Sequence, residues 1–232
     1  MSDSVLERFE QPSESVNTTS LNDLEPCTRL PTSAELGALL SLPLLDETGQ
    51  IALFGDILNT SDKPDGTTVI VLFIRHFWCP LDQDYVQEVR DLLQRLSNGK
   101  EELPEVIIVS NGSSTLISKY QEIFDLPGEK GSELKVRMYT DPTCQTYSVL
   151  GCIDTGEAFR SHSYIKHTSV IGGIATVILR AINHKMPLWE KGGAIKQLGG
   201  EFVCGLKVDC MYAHRMQNTH DHTSFGDVLK IA

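Results

Sequence analysis

The sequence predicts an α/β fold with one central mixed sheet, which has a parallel core, a C-terminal antiparallel hairpin and helices on both faces. Short apolar runs rich in β-branched residues alternate with segments of helical periodicity, an order typical of a parallel sheet. The last third instead contains two short apolar runs about a turn, which predicts a hairpin. The chain has 232 residues, 41% of them hydrophobic, enough to bury one full-sized core.

The N-terminal part of the chain differs in composition from the rest. Residues 1–38 are acidic and carry many Ser, Thr, Asn and Pro residues, which predicts a flexible leader with one short helix near its end. Residues 39–232 are expected to form the folded domain. Its first element is a pair of short strands over residues 42–53, because two apolar segments flank a turn at Thr48-Gly49.

The central strand is predicted over residues 68–75, a continuous apolar run. A helix is predicted over residues 80–97, because apolar residues there recur at intervals of three and four. The residues that define this periodicity are Tyr85, Val86, Val89, Leu92, Leu93 and Leu96.

Two further strand–helix units follow. Residues 106–111 form a second buried apolar run and residues 113–124 a second helical segment. A third strand is predicted over residues 136–141, with a short helix over residues 142–150 that ends at Gly151. This order of elements requires parallel strands joined by helical crossovers.

The last third of the chain is less regular. A helix is predicted over residues 168–184, and its apolar positions are expected to form a buried face. Residues 201–204 and 210–214 are predicted to pair as an antiparallel hairpin, and residues 225–231 as the final helix. The expected buried face comprises Val170, Ile171, Ile178, Leu179 and Ile182.

Composition excludes several classes of function. The net charge of −11 and the pI near 5.0 argue against binding to nucleic acid or to an anionic membrane. No secretory signal is visible, and the apolar stretch 168–179 is shorter than the roughly 20 residues that span a bilayer. We therefore expect a cytoplasmic protein without membrane insertion. The six irregularly spaced cysteines do not resemble a disulfide framework, so they are expected to be free, catalytic or metal-bound.

Cys79 is the strongest candidate for chemistry, since it lies between the central strand and a predicted helix. Unpaired backbone N–H groups and the helix dipole stabilise a thiolate there. Arg75 and His76 could add positive charge or a hydrogen bond. Asp82 and Asp84 act in the opposite sense, so the direction of the pKa shift is not fixed by the sequence.

Three segments carry a family resemblance. They are Phe73 to Pro80 with Tyr85, Asp141-Pro142 with Tyr147 and Leu150-Gly151, and Gly199 to Val203 with Cys210 to Arg215. In order and spacing they resemble the peroxiredoxin-like branch of the thioredoxin superfamily, the alkyl hydroperoxide reductase/thiol-specific antioxidant family. The resemblance extends from about Leu42 to the C-terminus. It implies a thioredoxin-like fold and an antioxidant-type oxidoreductase, whose redox-active cysteine attacks a peroxide, an organic endoperoxide or a disulfide. It also implies a thiol reductant such as thioredoxin or glutathione, no cofactor, and the option of a homodimer.

Two departures from the family pattern shape this prediction. Asp82 replaces the second cysteine of a CxxC motif, while His76 and Leu72 replace the Thr and Pro that typical peroxiredoxins place before the reactive cysteine. Cys79 would therefore act alone or with a distant resolving cysteine. The candidates for that role are Cys144, Cys152 and Cys210.

Two alternative functions remain open from the sequence. Cys79 could be a buried structural thiol in an inactive thioredoxin-fold interaction module, since free cysteine is among the most buried residue types. The protein could also be an accessory enzyme that acts on a small metabolite above Cys79.

The C-terminal cysteine and histidine cluster suggests a zinc site, but its ligand set is incomplete. Cys204, Cys210 and His214, with His220 and His222 following, have suitable residue types, whereas Ile195 and Lys196 occupy the positions where a further cysteine is needed. We therefore predict no metal. In thioredoxin folds this hairpin runs beside the reactive loop, so His214 and Arg215 are expected to face the Cys79 pocket.

Overall fold

The predicted mixed sheet is confirmed in the computed structural model, which describes residues 27–58, 68–99, 103–126, 135–152, 170–187, 189–205 and 209–232. The described strands follow the order β2-β1-β5-β4-β3-β6-β7. They are β1 (Pro43–Leu45), β2 (Ile51–Leu53), β3 (Thr68–Phe73), β4 (Glu105–Ser110), β5 (Val136–Thr140), β6 (Gly200–Gly205) and β7 (Cys210–Arg215). The helices are α1 (Ser33–Leu40), α2 (Phe54–Leu58), α3 (Pro80–Gly99), α4 (Ile117–Phe124), α5 (Gln145–Val149), α6 (Val170–Asn183) and α7 (Phe225–Leu229).

The parallel core consists of β3, β4 and β5, and the predicted C-terminal hairpin is β6 and β7. β6 pairs antiparallel with β3, so the hairpin lies directly beside the central strand. A short 3-10 helix at Ser114–Leu116 precedes α4 within the segment predicted as one helix. The predicted hairpin of β1 and β2 is also confirmed, with Gly49 at a φ of 79° in its turn.

Helices cover both faces of the sheet, as predicted. Ile70 and Leu72 of β3 pack in a core with α3, α4, α6 and α7. Val69, Val71 and Phe73 of the same strand pack on the opposite face with α1, α2 and α5. Because successive side chains of a strand point to opposite faces, one apolar run supplies both cores.

The predicted boundary between leader and domain, at residue 38, lies inside α1. Thr32 caps this helix in a capping box with Glu35, and Leu36 and Leu39 are buried against the sheet. The packed part of the chain therefore begins before residue 39. Residues 1–26 of the predicted leader lie outside the described residues.

The prediction for the buried face of α6 was wrong at three of its five positions, and the side chains of the other two, Val170 and Ile171, lie outside what the structure describes. Ile178, Leu179 and Ile182 are 45%, 60% and 57% exposed, whereas Val177 and Ala181 are buried. The helix is apolar around much of its circumference, so the sequence does not indicate which stripe meets the core. Within the described residues, none of the helices combines the length and apolar character that crossing a bilayer requires.

Candidate active site

Cys79 lies at the start of α3, as predicted. Its N–H donates to His76 O at 3.1 Å, and its carbonyl oxygen accepts from Gln83 N–H at 3.0 Å, the first hydrogen bond of the helix. The apolar run of β3 ends at Phe73, and the proline at position 80 suits the first turn of a helix, where its missing N–H is not needed. Strand, loop and helix together place the sulfur at the carboxyl end of the sheet.

Arg75 is the cationic group at the sulfur. Its Nη1 lies 3.3 Å from Cys79 Sγ, and its Nε and Nη2 donate to Gln197 O at 3.3 Å and to Ile195 O at 2.5 Å. The side chain is 6% exposed, so these hydrogen bonds fix the guanidinium in place. The arrangement can stabilise a thiolate at Cys79.

Burial opposes that stabilisation. Cys79 is 2% exposed, and burial, followed by the negative charge of Asp82, raises the pKa of its thiol to about 12. The charge of Arg75 and the backbone N–H groups of Asp82 and Leu81 lower this pKa, but by less. In this structure Cys79 is therefore a protonated thiol at neutral pH.

His76 does not supply the positive charge that the sequence suggested. Burial, outweighing the charge of Asp82, lowers the pKa of its imidazole to about 4, and the charge of Arg75 acts in the same direction. The ring is neutral at pH 7, and its Nδ1 is buried without a hydrogen-bond partner among the described residues. His76 therefore contributes a neutral imidazole beside the reactive loop.

A buried chain of charged groups begins at Asp82, where a CxxC motif has its second cysteine. Asp82 Oδ2 accepts from His76 N–H at 3.0 Å, and Asp82 Oδ1 lies 3.0 Å from His222 Nε2. The other nitrogen of His222 lies 2.6 Å from Glu201 Oε1, and its ring stacks on Tyr85 at 4.2 Å. The sequence indicated His222 only beside the suggested zinc cluster, and it did not predict the contacts with Asp82 and Glu201, because nothing local connects positions 82, 201 and 222.

The charged groups of this buried chain of side chains stabilise one another's ionised forms. Burial disfavours a charged His222, but hydrogen bonds with Asp82 and Glu201 outweigh it and raise its pKa to about 9. Burial likewise disfavours the two carboxylates, yet hydrogen bonds from His222 lower the pKa of both, with His214 adding a further one on Glu201. At neutral pH, one buried imidazolium thus bridges two buried carboxylates.

The segment 189–197, here called the covering segment, closes the site. Phe77 N–H donates to Gly192 O at 3.1 Å, and Ala194 N–H donates to Asn111 Oδ1 at 2.7 Å. Together with the hydrogen bonds from Arg75, these contacts hold the segment against the reactive loop.

Two glycines permit this close approach. A Cβ at Gly192 would collide with the Trp78 ring, and one at Gly193 would collide with the Asn111 side chain. Gly193 also adopts a φ of 125°, which L side chains rarely adopt. A cleft of about 720 Å³ opens beside the segment, and its lining includes Asn111, Ser114, Trp189, Lys191 and Ala194.

His214 and Arg215 do not contact Cys79. His214 Nδ1 lies 2.8 Å from Glu201 Oε2, so it joins the buried chain at the end remote from Asp82. Arg215 donates to the carbonyls of Leu150 and Arg29, the latter at 2.6 Å, and its guanidinium lies over the Phe202 ring. Because Phe202 belongs to the core on the α1 face, the expectation that Arg215 lines the pocket was wrong.

Cys210 is placed poorly for resolving an intermediate at Cys79. It opposes Cys204, which in turn opposes Val69 near the start of β3, whereas Cys79 follows the other end of that strand. Val69 and Phe73 alone are about 13 Å apart along the strand, and a disulfide needs Cα atoms within about 7 Å. The suggested Cys79–Cys210 pairing therefore does not fit this fold.

The residues of the suggested zinc cluster make other contacts. His214 is engaged with Glu201, and Cys210 Sγ lies 2.9 Å from Tyr212 O. In the part of the chain that the structure describes, no group of three or more His, Cys, Asp or Glu side chains is placed to hold a metal ion.

Comparison with known proteins agrees with this fold. No family model matches the chain. Peroxiredoxin-like 2C of Bos taurus is 25% identical over 196 residues, which cover 84% of this chain and 78% of the relative. A cysteine-to-serine variant of peroxiredoxin 6 of Arenicola marina superposes with a TM-score of 0.51 at 11% identity, covering 82% of this chain and 68% of that one. Reduced Prx3 of Vibrio vulnificus in complex with hydrogen peroxide gives 0.51 at 10% identity, covering 83% and 94%. The chain is therefore similar in sequence to peroxiredoxin-like 2C and shares the fold of solved peroxiredoxins.

Proposed function

We propose that the protein is a thiol-dependent oxidoreductase that reduces hydroperoxides at Cys79 without a CxxC partner. The observation that carries this proposal is the contact between the Arg75 guanidinium and Cys79 Sγ at the N-terminus of α3. A guanidinium and unpaired backbone N–H groups stabilise a thiolate, which is the nucleophilic form of cysteine. The curated relatives named peroxiredoxin-like support the same chemistry.

The proposed reaction begins with the loss of the Cys79 proton to solvent. Burial is the largest cause of its raised pKa, so hydration of the site on outward movement of the covering segment would favour ionisation. The thiolate then attacks one peroxide oxygen, the O–O bond breaks, and the other oxygen leaves as water or an alcohol. A reductant thiol displaces water from the resulting sulfenic acid, and a second thiol releases Cys79 from the mixed disulfide.

Peroxide consumption by the purified chain tests this proposal, with dithiothreitol, glutathione or thioredoxin as the donor. We expect turnover by the wild type, loss of turnover in Cys79→Ser, and retention in the matched control Cys27→Ser. A sulfenic acid-specific probe is expected to label Cys79 after a brief peroxide pulse. Equal consumption by wild type and Cys79→Ser would refute a role for Cys79.

The burial of Cys79 favours a second candidate function, an inactive interaction module. A thiol that is 2% exposed, with its pKa raised by burial and by Asp82, has the properties of a structural cysteine. The same assay separates the two functions. Absence of both turnover and sulfenic acid at Cys79 in correctly folded protein would favour the module.

A further inference from the structure

Two cysteines face each other across the C-terminal hairpin, away from the site at Cys79. Cys204 of β6 is the direct partner of Cys210 in the antiparallel pairing with β7, next to a bulge between Val203 and Cys204. Directly opposed residues of antiparallel strands have Cα atoms about 4.5–5.5 Å apart. This spacing lies within the range of about 4.4–6.8 Å that disulfides span.

The two thiols also interact with each other. A hydrogen bond from Cys204 lowers the pKa of Cys210, and the backbone at Tyr212 and the charge of Arg215 act in the same direction, against burial. The same hydrogen bond, followed by burial, raises the pKa of Cys204. When protonated, Cys210 can donate to Tyr212 O at 2.9 Å. Cys210 is therefore the first of the pair to ionise, with Cys204 positioned as its neighbour.

This asymmetry resembles the division between an attacking and a resolving thiol. Cys210, the first residue of β7, is 9% exposed, whereas Cys204 is 5% exposed. By contrast, burial raises the pKa of both Cys79 and Cys152 to about 12. Cys210 thus has a feature that these two thiols lack, a neighbouring sulfur whose hydrogen bond lowers its pKa.

We propose that Cys204 and Cys210 form a second redox site, in which a hydroperoxide oxidises the two thiols to a disulfide between β6 and β7. The Cys210 thiolate attacks a peroxide oxygen, the O–O bond breaks, and water or an alcohol leaves. Cys204 then attacks the sulfur of the Cys210 sulfenic acid, and water departs as the S–S bond forms. Two thiols lose two electrons and two protons in total, and hydrogen peroxide becomes two water molecules.

The site does not depend on Cys79, because the two centres lie toward opposite ends of the central strand. It goes beyond the proposed reaction at Cys79, which leaves Cys204 and Cys210 unused. A disulfide at this position would join the strands beside β3 covalently. Thiol reductants would reverse it by exchange.

Peptide mapping without reductant tests this proposal on the purified full-length chain. Trypsin cleaves after Lys207, between the two cysteines, so a disulfide would connect two separate tryptic peptides. After hydrogen peroxide treatment we expect this linked pair in the wild type and equally in Cys79→Ser, with loss of both free thiols. Dithiothreitol is expected to restore them.

Variants of the pair provide the controls. Cys204→Ser and Cys210→Ser are expected to abolish the linked peptides, whereas Cys27→Ser is expected to retain them. If either serine variant fails to fold, the wild type decides the question: after oxidation and then denaturation without reductant, both thiols should resist iodoacetamide until dithiothreitol is added. Absence of the linked pair from oxidised wild type, or a link from Cys210 to Cys79 in its place, would overturn the proposal. Either result leaves the turnover assay on Cys79 to be judged separately.

Discussion

Arg75 connects the chemistry of Cys79 to its enclosure. One nitrogen of the guanidinium contacts the sulfur, and the other two donate to carbonyl oxygens of the covering segment. A lysine could not maintain all three contacts, because its single ammonium lacks the planar, forked geometry. Movement of the covering segment would therefore release Nε and Nη2 of Arg75, the same side chain that stabilises the thiolate.

Replacing Arg75 with glutamine is expected to raise the pKa of Cys79, since the cation beside the sulfur is lost. A rise of one unit corresponds to about 1.4 kcal/mol and to a tenfold smaller thiolate fraction below the pKa. The pH profile of sulfenic acid formation at Cys79 measures this change, and a loosened covering segment alone would not produce it. Arg95→Gln, which changes an exposed arginine of α3, is the control. An unchanged profile in Arg75→Gln would contradict a role for the guanidinium in ionisation.

The sequence predicted some of these residues and not others. An apolar run followed by Cys-Pro is a local pattern, and it correctly placed Cys79 at a helix N-terminus with Arg75 nearby. The neutral state of His76 depends on burial by segments distant in sequence. Similarly, His222 reaches Asp82 across 140 positions, and no periodicity reports such a contact.

At the scale of elements, the buried chain of charges attaches the segment before α7 to the first turn of α3. His222 and Thr223 contact Glu201 of β6, and His222 also contacts Asp82. These buried charged side chains therefore join three elements that meet at the carboxyl end of the sheet. Breaking a buried ion pair by removing one partner leaves the other charge uncompensated.

His222→Gln is expected to destabilise the protein at pH 6 by about 3 kcal/mol, the free energy that corresponds to a pKa raised from 6.5 to about 9. The sign follows from the raised pKa of the folded state. The stabilisation is complete below pH 6.5 and is lost as the pH rises through 9. Urea unfolding at pH 6 and at pH 9.5 measures the difference, which should shrink at the higher pH.

His220→Gln is the matched control, because His220 lies two residues away and its ring contacts the hydroxyl of Thr219. It is expected to change the free energy of unfolding much less, at both pH values. A loss in His222→Gln that is equally large at pH 6 and pH 9.5 would indicate a packing role for the ring in place of its charge.

At the scale of the whole molecule, the order of elements was largely predictable. Apolar runs that alternate with amphipathic helices permit few topologies, and the predicted parallel core and C-terminal hairpin were confirmed. The buried face of α6 was not predictable, because its sequence is apolar on several sides. The packing of the start of α1 was missed for a different reason, since the acidic, Pro-containing composition of residues 1–38 concealed Leu36 as a core residue.

The packing of α1, a helix that begins within the predicted leader, predicts a large effect on stability. Leu39 is buried, so Leu39→Ala is expected to cost about 2–5 kcal/mol, whereas the exposed Leu30→Ala should cost within about 0.5 kcal/mol. Chemical denaturation of both variants measures the difference. Equal stability of the two variants would mean that α1 does not contribute to the domain core.

The presence of Asp82 also limits which sequences this protein can reach by single substitutions. A cysteine at position 82 would recreate the CxxC spacing, but it would remove one of the two carboxylates that keep His222 charged. Glu201 would then be the principal buried counterion for His222, and the hydrogen bond from His76 N–H would lose its acceptor. The benefit of a second cysteine would therefore depend on compensating changes at positions 201 and 222. Such dependence among distant positions is epistasis, and here it makes the single-cysteine state difficult to reverse.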